Sequence, residues 1–291
     1  MDNSNTGSFR DPGGQIFTKN GRIYRTITRL ALEDFEQVEK TGLFEELTGT
    51  RDLVGYTRVK NIDLGPATEN AELILEHNLI PFISYPYEWS FSQLKVAALL
   101  HLDIQIKAFD KKIVLSDATA YNVQFIGNKP IFIDHLSFKP YQDGQFWLAH
   151  KQFCEQFLNP LLLRSYLGIT HNSWFRGSLE GIDLVSFNAI LPWYRKFNFQ
   201  VLTNVVLPAV FEKRAISNIN TDSNSNQKLA TSIKNQKLPA SSYKNILLGL
   251  RRLIHKLQPK GKSSTVWSEY ANSHSYKDAE FDKKRAFVQK F

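Results

Sequence analysis

Three oxygen-bearing side chains stand at a spacing that could serve phosphoryl transfer: Asp117 and Asn122 in LSDATAYNVQF, and Asp134 after a turn containing Gly127 and the apolar run IFI. In such chemistry the first carboxylate orients or deprotonates an attacking hydroxyl, while the Asn and the last Asp give oxygens to magnesium on nucleotide phosphates. Mg²⁺ is hard and keeps near-octahedral oxygen coordination, so these are the residue types it needs. Each also has a structural reading. Asp and Asn commonly satisfy backbone groups in turns. A carboxylate beside a core is costly unless a metal, a cation or a donor meets it, so Asp134 is the sharper candidate of the three.

The elements that must position them can be read from periodicity. Ser90 to Phe109 predicts a core helix: Ser90 or Ser92 can cap it, and Leu94, Ala97, Ala98, His101, Ile104 and Ala108 recur at helical spacing. Two apolar runs about the turn at Gly127 predict a hairpin between Asn122 and Asp134. Upstream, Lys19-Asn20-Gly21 predicts an opening hairpin, because Asn-Gly supplies the positive φ a tight turn needs. Leu30 to Leu47 predicts an amphipathic helix broken near Gly42, and Leu79 to Tyr87, with two prolines, an edge strand or connector ending in a hinge at 84–89. Residues 146–215 read as mostly helical, with Pro160, Pro192 and Pro208 marking starts or breaks.

This order, with Asp-x4-Asn, a hairpin and a strand-end Asp, is the spacing kinase-like phosphotransferases use. The fold class expected is α+β, a protein-kinase-like two-lobe fold with a small β-containing N-lobe, a mainly helical C-lobe and a basic helical C-terminal extension. Departures weigh against activity. Leu115-Ser116 precede Asp117 where such enzymes carry His-Arg or His-Gly, and His135-Leu136 follow Asp134 in place of Phe-Gly. The opening hairpin has no Gly-rich phosphate loop, and no phosphate-binding lysine is identifiable. Arg25, paired with Glu36 or Glu39, is the substitute considered.

Composition narrows the remaining classes. A 291-residue chain with 42% hydrophobic residues has the apolar surface for a core, and the single Cys154 excludes a disulfide framework or a Cys-cluster metal site. Cys154, among Phe153, Phe157 and Leu158, reads as a buried core thiol. The seven histidines form no zinc-binding pattern, and His135 reads as a packed core residue. Neither a signal peptide nor an apolar run of membrane-spanning length is present, so a cytoplasmic location is expected. The formal charge of +8 is uneven: residues 1–150 carry 15 Lys/Arg against 19 Asp/Glu, leaving 21 against 9 for the remainder. A basic surface can meet nucleic acid, anionic lipid or an acidic partner. No groove-reading motif accompanies the charge, which argues against nucleic acid. The basic helix at 243–257 could instead lie on an anionic membrane through Leu247, Leu250 and Leu257, or pack its apolar side on its own protein.

The runs Ile80–Lys95 (IPFISYPYEWSFSQLK), Leu115–Phe125 (LSDATAYNVQF), Phe132–Phe138 (FIDHLSF) and Gln152–Pro160 (QFCEQFLNP) resemble the N-terminal region of bacterial proteins labelled class I SAM-dependent methyltransferases, including nodulation-type relatives. The similarity covers most of residues 8–210 and returns at 267–291. In that family a kinase-like region precedes a methyltransferase domain, so the resemblance implies that residues 243–291 are the lead-in to such a domain. No Gly-x-Gly turn after an apolar strand offers SAM a site in this chain.

The division expected is a kinase-like module at 8–215, a flexible polar linker or insertion at 216–242, and the basic helical extension at 243–291. Two functions stand side by side. One is a non-catalytic scaffold or substrate-presenting pseudokinase of a methyltransferase system, truncated before a SAM domain that lies in a missing segment or a partner chain. The other is a Mg-ATP phosphotransferase on a small molecule or glycan, with Asp117 as base and Asn122 and Asp134 on magnesium.

Overall fold

The computed structural model describes residues 3–4, 11–60, 62, 64–219, 237–261 and 277–290. It is a mixed α+β fold. A five-stranded antiparallel sheet has the order β1-β2-β3-β5-β4, with β1 Asn3–Ser4, β2 Ile16–Lys19, β3 Arg22–Ile27, β4 Tyr56–Val59 and β5 Leu73–His77. The β2–β3 turn is made by Asn20 and Gly21, at φ 51° and 72°, the paired positive values that match a hairpin's twist. Between β3 and β4 run helices α1 (Arg29–Lys40) and α2 (Leu43–Gly49), separated at Gly42, whose φ of 72° ends the first and opens the second. Ala31, Phe35 and Val38 give α1 its buried stripe.

Of the two readings of residues 79–87, edge strand or connector, the structure has the connector. The strand in this region is Leu73–His77, seated in the sheet between β3 and β4, and the Pro-containing stretch after it is an irregular connector. Prolines cannot donate to a ladder, which keeps 79–87 out of the sheet. The connector is tied down instead: Gln124 donates to Ser84 O and accepts from Ser84 N at 3.0 and 2.9 Å, and the buried Trp89 indole donates to Ser84 Oγ.

Helix α4 (Phe91–Asp110) follows, after short α3 (Pro66–Glu69) and this connector. Ser90 and Gln93 close a reciprocal capping box at its start. It is buried on most sides, as a central helix must be. Against it lie β6 (Ile113–Leu115) with β9 (Phe138–Pro140), and the hairpin of β7 (Val123–Ile126) with β8 (Lys129–Phe132). Phe132 N and O bond Asp52 O and Val54 N, both at 2.8 Å, so β8 is stitched to the segment leading into β4.

The helical side continues through α5 (150–167), α6 (Asn172–Gly177), α7 (Leu184–Ile190), a 3₁₀ turn at Trp193–Phe197 and α8 (199–219). Pro160 and Pro208 do not break their helices. Each lies just after a π-type segment, Cys154–Leu158 and Leu202–Val206, where the widened turn absorbs the missing amide donor.

Of the two readings of the basic helix at 243–257, helix α9 (Ala240–Lys256) has the one in which its apolar side packs on its own protein. Tyr243, Leu247, Leu250 and Ile254 are buried against α4 in the common core, with Tyr243 stacked on Phe109 at 4.5 Å. Lys244 and Arg251 pair with Asp110 and Asp103 of α4. The apolar face is spent on its own protein, so the charged face is what solvent meets. Helix α10 (Asp278–Val288) has Glu280 accepting from Lys277 N at 3.0 Å; residues 220–236 of the polar segment lie outside the described residues.

His101 of α4 sits in an aromatic cage of Phe132, Trp147, Phe153 and Phe157, fully buried with neither ring nitrogen bonded. Desolvation pushes its pKa from 6.5 down to about 3. A depressed folded value stabilises fully above the unfolded value, and that contribution is lost as pH falls through the folded one. Replacing His101 by Phe removes the titration. Urea denaturation at about pH 7 and pH 4 should show the wild type losing roughly 3 kcal/mol more than His101→Phe over that interval.

Candidate functional site

Asp117, Asn122 and Asp134 come together at the junction between the sheet and the helical side. The 116–122 loop leaves β6 and ends in a 3₁₀ turn at Ala120–Asn122, while Asp134 follows β8. Ile133 N bonds Asn122 O at 2.9 Å, which sets the two segments side by side. The Asn122 amide nitrogen then bonds Asp117 Oδ2 at 3.2 Å and lies 3.5 Å from both Asp134 Oδ2 and Ser137 Oγ.

Asp134 accepts from four donors. Its Oδ1 accepts from Arg25 Nη1 at 2.9 Å and from Leu136 N at 3.1 Å; its Oδ2 accepts from Ser137 Oγ and the Asn122 amide. Arg25 comes from β3, so this ion pair ties the five-stranded sheet to the loop after β8. The expected partners of Arg25 are thus corrected: Glu39 bonds Arg58 and Tyr56 instead. A β3 side chain points across the sheet face, not along it to α1, and the face of Arg25 looks at Asp134.

Asp117 closes its own turn, accepting from Thr119 N at 3.0 Å. Burial raises its pKa, with the Asp134 charge adding to the rise, while its hydrogen bonds act the other way. The loop it begins is held from below by two glutamines one turn apart on α5. Gln152 Oε1 accepts from Ala118 N at 2.7 Å; Gln156 Oε1 accepts from Ala120 N at 2.8 Å and Thr119 Oγ1 at 2.9 Å. A cavity of about 320 Å³ opens over Asp117 and Asp134, rimmed by Ser116, Ser137, Lys139 and Gly13. Gly14 is packed so closely that a Cβ there would lie 1.9 Å from Thr26 O, so no side chain fits where this turn covers Leu136.

His135, next to Asp134 in sequence, points the opposite way into a nest with His77, Tyr56 and Phe44, and burial holds it well below its usual pKa. Cys154 is fully buried and its thiol is pushed up by desolvation, which removes it as a nucleophile.

The oxygen donors gathered here are of the kind magnesium takes, but as arranged they do not fit it. Asn122 presents its nitrogen to both carboxylates, and Arg25 already supplies the positive charge at Asp134 Oδ1. Seating a cation would require Arg25 to withdraw and the amide to turn.

Sequence reasoning found the three central residues and missed those that support them. Gln152 and Gln156 had a readable signal: two amides at i and i+4 on a helix otherwise rich in buried apolar residues must meet polar partners. The true partner of Arg25 had none, since it depends on pairing across 109 residues of chain, whereas Ser137 lies only three residues beyond the Asp134 it bonds.

No family model matches the sequence. The chain is 39% identical over 290 residues to "Nodulation protein NoeA" of Rhizobium meliloti (strain 1021), a match covering 98% of this chain and 58% of that protein. It thus spans somewhat over half the length of that relative. Among solved structures, the Cydia pomonella granulovirus kinase PK-1 is similar at 10% identity with a TM-score of 0.32, covering 46% of this chain and 52% of that one, too distant to assign the fold.

Gln156→Leu should test the support of the loop. It leaves Ala120 N and the Thr119 hydroxyl without their acceptor, which should cost about 2 to 3 kcal/mol in chemical denaturation, whereas an exposed change such as Gln37→Leu should cost less than about 0.5 kcal/mol.

Proposed function

We propose that this chain is a kinase-like, non-catalytic module that scaffolds or presents substrate for a methyltransferase acting elsewhere in a longer nodulation-type protein or in a partner chain. The observation that carries the non-catalytic reading is the closed state of Asp134. A carboxylate that must hold magnesium needs free lone pairs, and here Arg25, Leu136 N, Ser137 and Asn122 take them. The order of elements supports the kinase-like, two-lobe reading: a small sheet with one main helix, a connector, then a central helix, the Asp117–Asn122 loop, a hairpin and Asp134. The match to a nodulation protein extending well beyond this chain supports a role within a longer polypeptide; a cytoplasmic setting is part of the same proposal.

A second reading is favoured by one feature. Asp117 and Asn122 converge on Asp134 with a cavity above them, as a Mg-ATP phosphotransferase acting on a small molecule or glycan would require, and burial lifts Asp117 toward the range of a proton acceptor. In that case Asp117 would accept the hydroxyl proton and Asn122 and Asp134 would hold the metal once Arg25 had withdrawn from Asp134. The chemistry magnesium would supply is charge neutralisation on the nucleotide.

Calorimetric titration of Mg-ATP into the wild type and Asp134→Asn, with SAM in parallel, separates the two. The proposal expects no saturable heat from either ligand in either protein. Saturable Mg-ATP binding that Asp134→Asn abolishes would establish the phosphotransferase site, and SAM binding to this chain would overturn the placement of the methyltransferase elsewhere.

A further inference from the structure

The segment between α7 and α8 carries an unusual load of apolar surface into solvent. Within seven residues Trp193, Tyr194, Phe197 and Phe199 are 73%, 54%, 75% and 70% exposed. Ile190, at the end of α7, is also exposed. Scattered exposed apolar residues are ordinary, whereas four aromatics on one short turn are not. The turn is well built and not a loose tail. Arg195 stacks over the Tyr166 ring at 4.4 Å, Lys196 Nζ bonds Asn188 O at 2.7 Å, and Asn198 caps the start of α8 by accepting from Gln200 N and Val201 N.

Charge identifies the class of surface this turn would meet. Between Asp183 and Glu212 the sequence has no acidic residue, and Arg195 and Lys196 sit inside the aromatic run. Aromatic side chains at the headgroup level with cations beside them are the chemistry of an anionic bilayer surface. Ring geometry argues against a sugar chain as the occupant. Trp193 lies at 90° to Tyr194 and 88° to Phe197, so the rings splay apart and offer no common plane for pyranose faces to stack on. Splayed rings suit insertion between lipid headgroups, where each ring needs depth and not a shared face.

We propose that the aromatic turn at residues 190–199 is a peripheral docking surface for anionic lipid. No helix among the described residues is long and apolar enough to cross a membrane, so this contact would rest on the bilayer surface. The inference stands apart from the reading of the Asp134 cluster, and nucleotide binding or its lack leaves it untouched.

The test is flotation of the full chain with vesicles of phosphatidylcholine alone or with roughly one-third phosphatidylglycerol. The wild type should float with the anionic vesicles only, and less so as salt rises. The variant Trp193→Ser/Phe197→Ser/Phe199→Ser, which changes exposed positions, should keep its circular dichroism and lose flotation by about tenfold or more. Arg252→Ala/Lys256→Ala on the solvent side of α9 should float as the wild type does. Brominated lipid should quench indole fluorescence in the wild type and not in Trp193→Phe. Failure of the wild type to float, flotation that survives the triple variant, or loss confined to the α9 variant would each overturn the proposal. So would light scattering that shows a wild-type dimer dispersed by the triple variant without vesicle binding, which would assign the face to a second copy.

Discussion

The ion pair between Arg25 and Asp134 is the interaction on which the arrangement of this molecule turns. It joins a strand of the five-stranded sheet to the loop after β8, with the two side chains only 9% and 17% exposed. Charges taken that far from water are expensive unless they are paired and hydrogen-bonded. The cost is offset at Asp134 by three further hydrogen bonds, from Leu136 N, Ser137 and Asn122. The same contacts that let the pair exist also consume the lone pairs a metal would need. The contacts that hold the pair are thus the same ones that support the proposed non-catalytic reading of the site.

Around that pair the protein repeatedly spends buried polar groups on fixing backbone. Gln105 holds Leu115 N and reaches Tyr243, Gln152 and Gln156 hold the Asp117 loop, Gln124 holds the connector at Ser84, and Asn159 bonds Ile182 O. Each amide stands in for a sheet or helix partner that an irregular segment lacks, since buried backbone donors must be paired somewhere. These clamps hang on α4, α5 and the β7–β8 hairpin, so the loop bearing Asp117 and Asn122 is as fixed as the helices beneath it. The prolines of α5 and α8 fit the same pattern, their missing donors absorbed by widened turns that keep the helices continuous.

Much of this was legible in the sequence where the signal is local. Asn20-Gly21 announced a hairpin through its φ requirement, Ser90, one of two cap candidates, announced the start of α4, and Asp117, Asn122 and Asp134 announced a cluster through their spacing about a turn. What lay hidden depends on distant pairing. The strand Leu73–His77 carries glutamate and histidine and looks weaker than the Pro-bearing run after it, yet its place between β3 and β4 buries it. Helix α9 has the same amphipathic pattern whether its leucines face lipid or α4, and only the tertiary partner decides. The exposed turn at Trp193 reads in sequence as ordinary core, because aromatic composition alone does not reveal which rings are left outside.

The central claim is that Arg25 and Asp134 function as one neutralised unit, and a double-mutant cycle measures this directly. Stabilities of wild type, Arg25→Met, Asp134→Asn and the double variant, from chemical denaturation at neutral pH, give the coupling between the two side chains. The account predicts that either single change costs about 3 kcal/mol and that the double change costs little more than one, a coupling of roughly 2 kcal/mol or greater. Additive single effects would show that Asp134 stands without Arg25, and the closed, non-catalytic description of the site would then be contradicted.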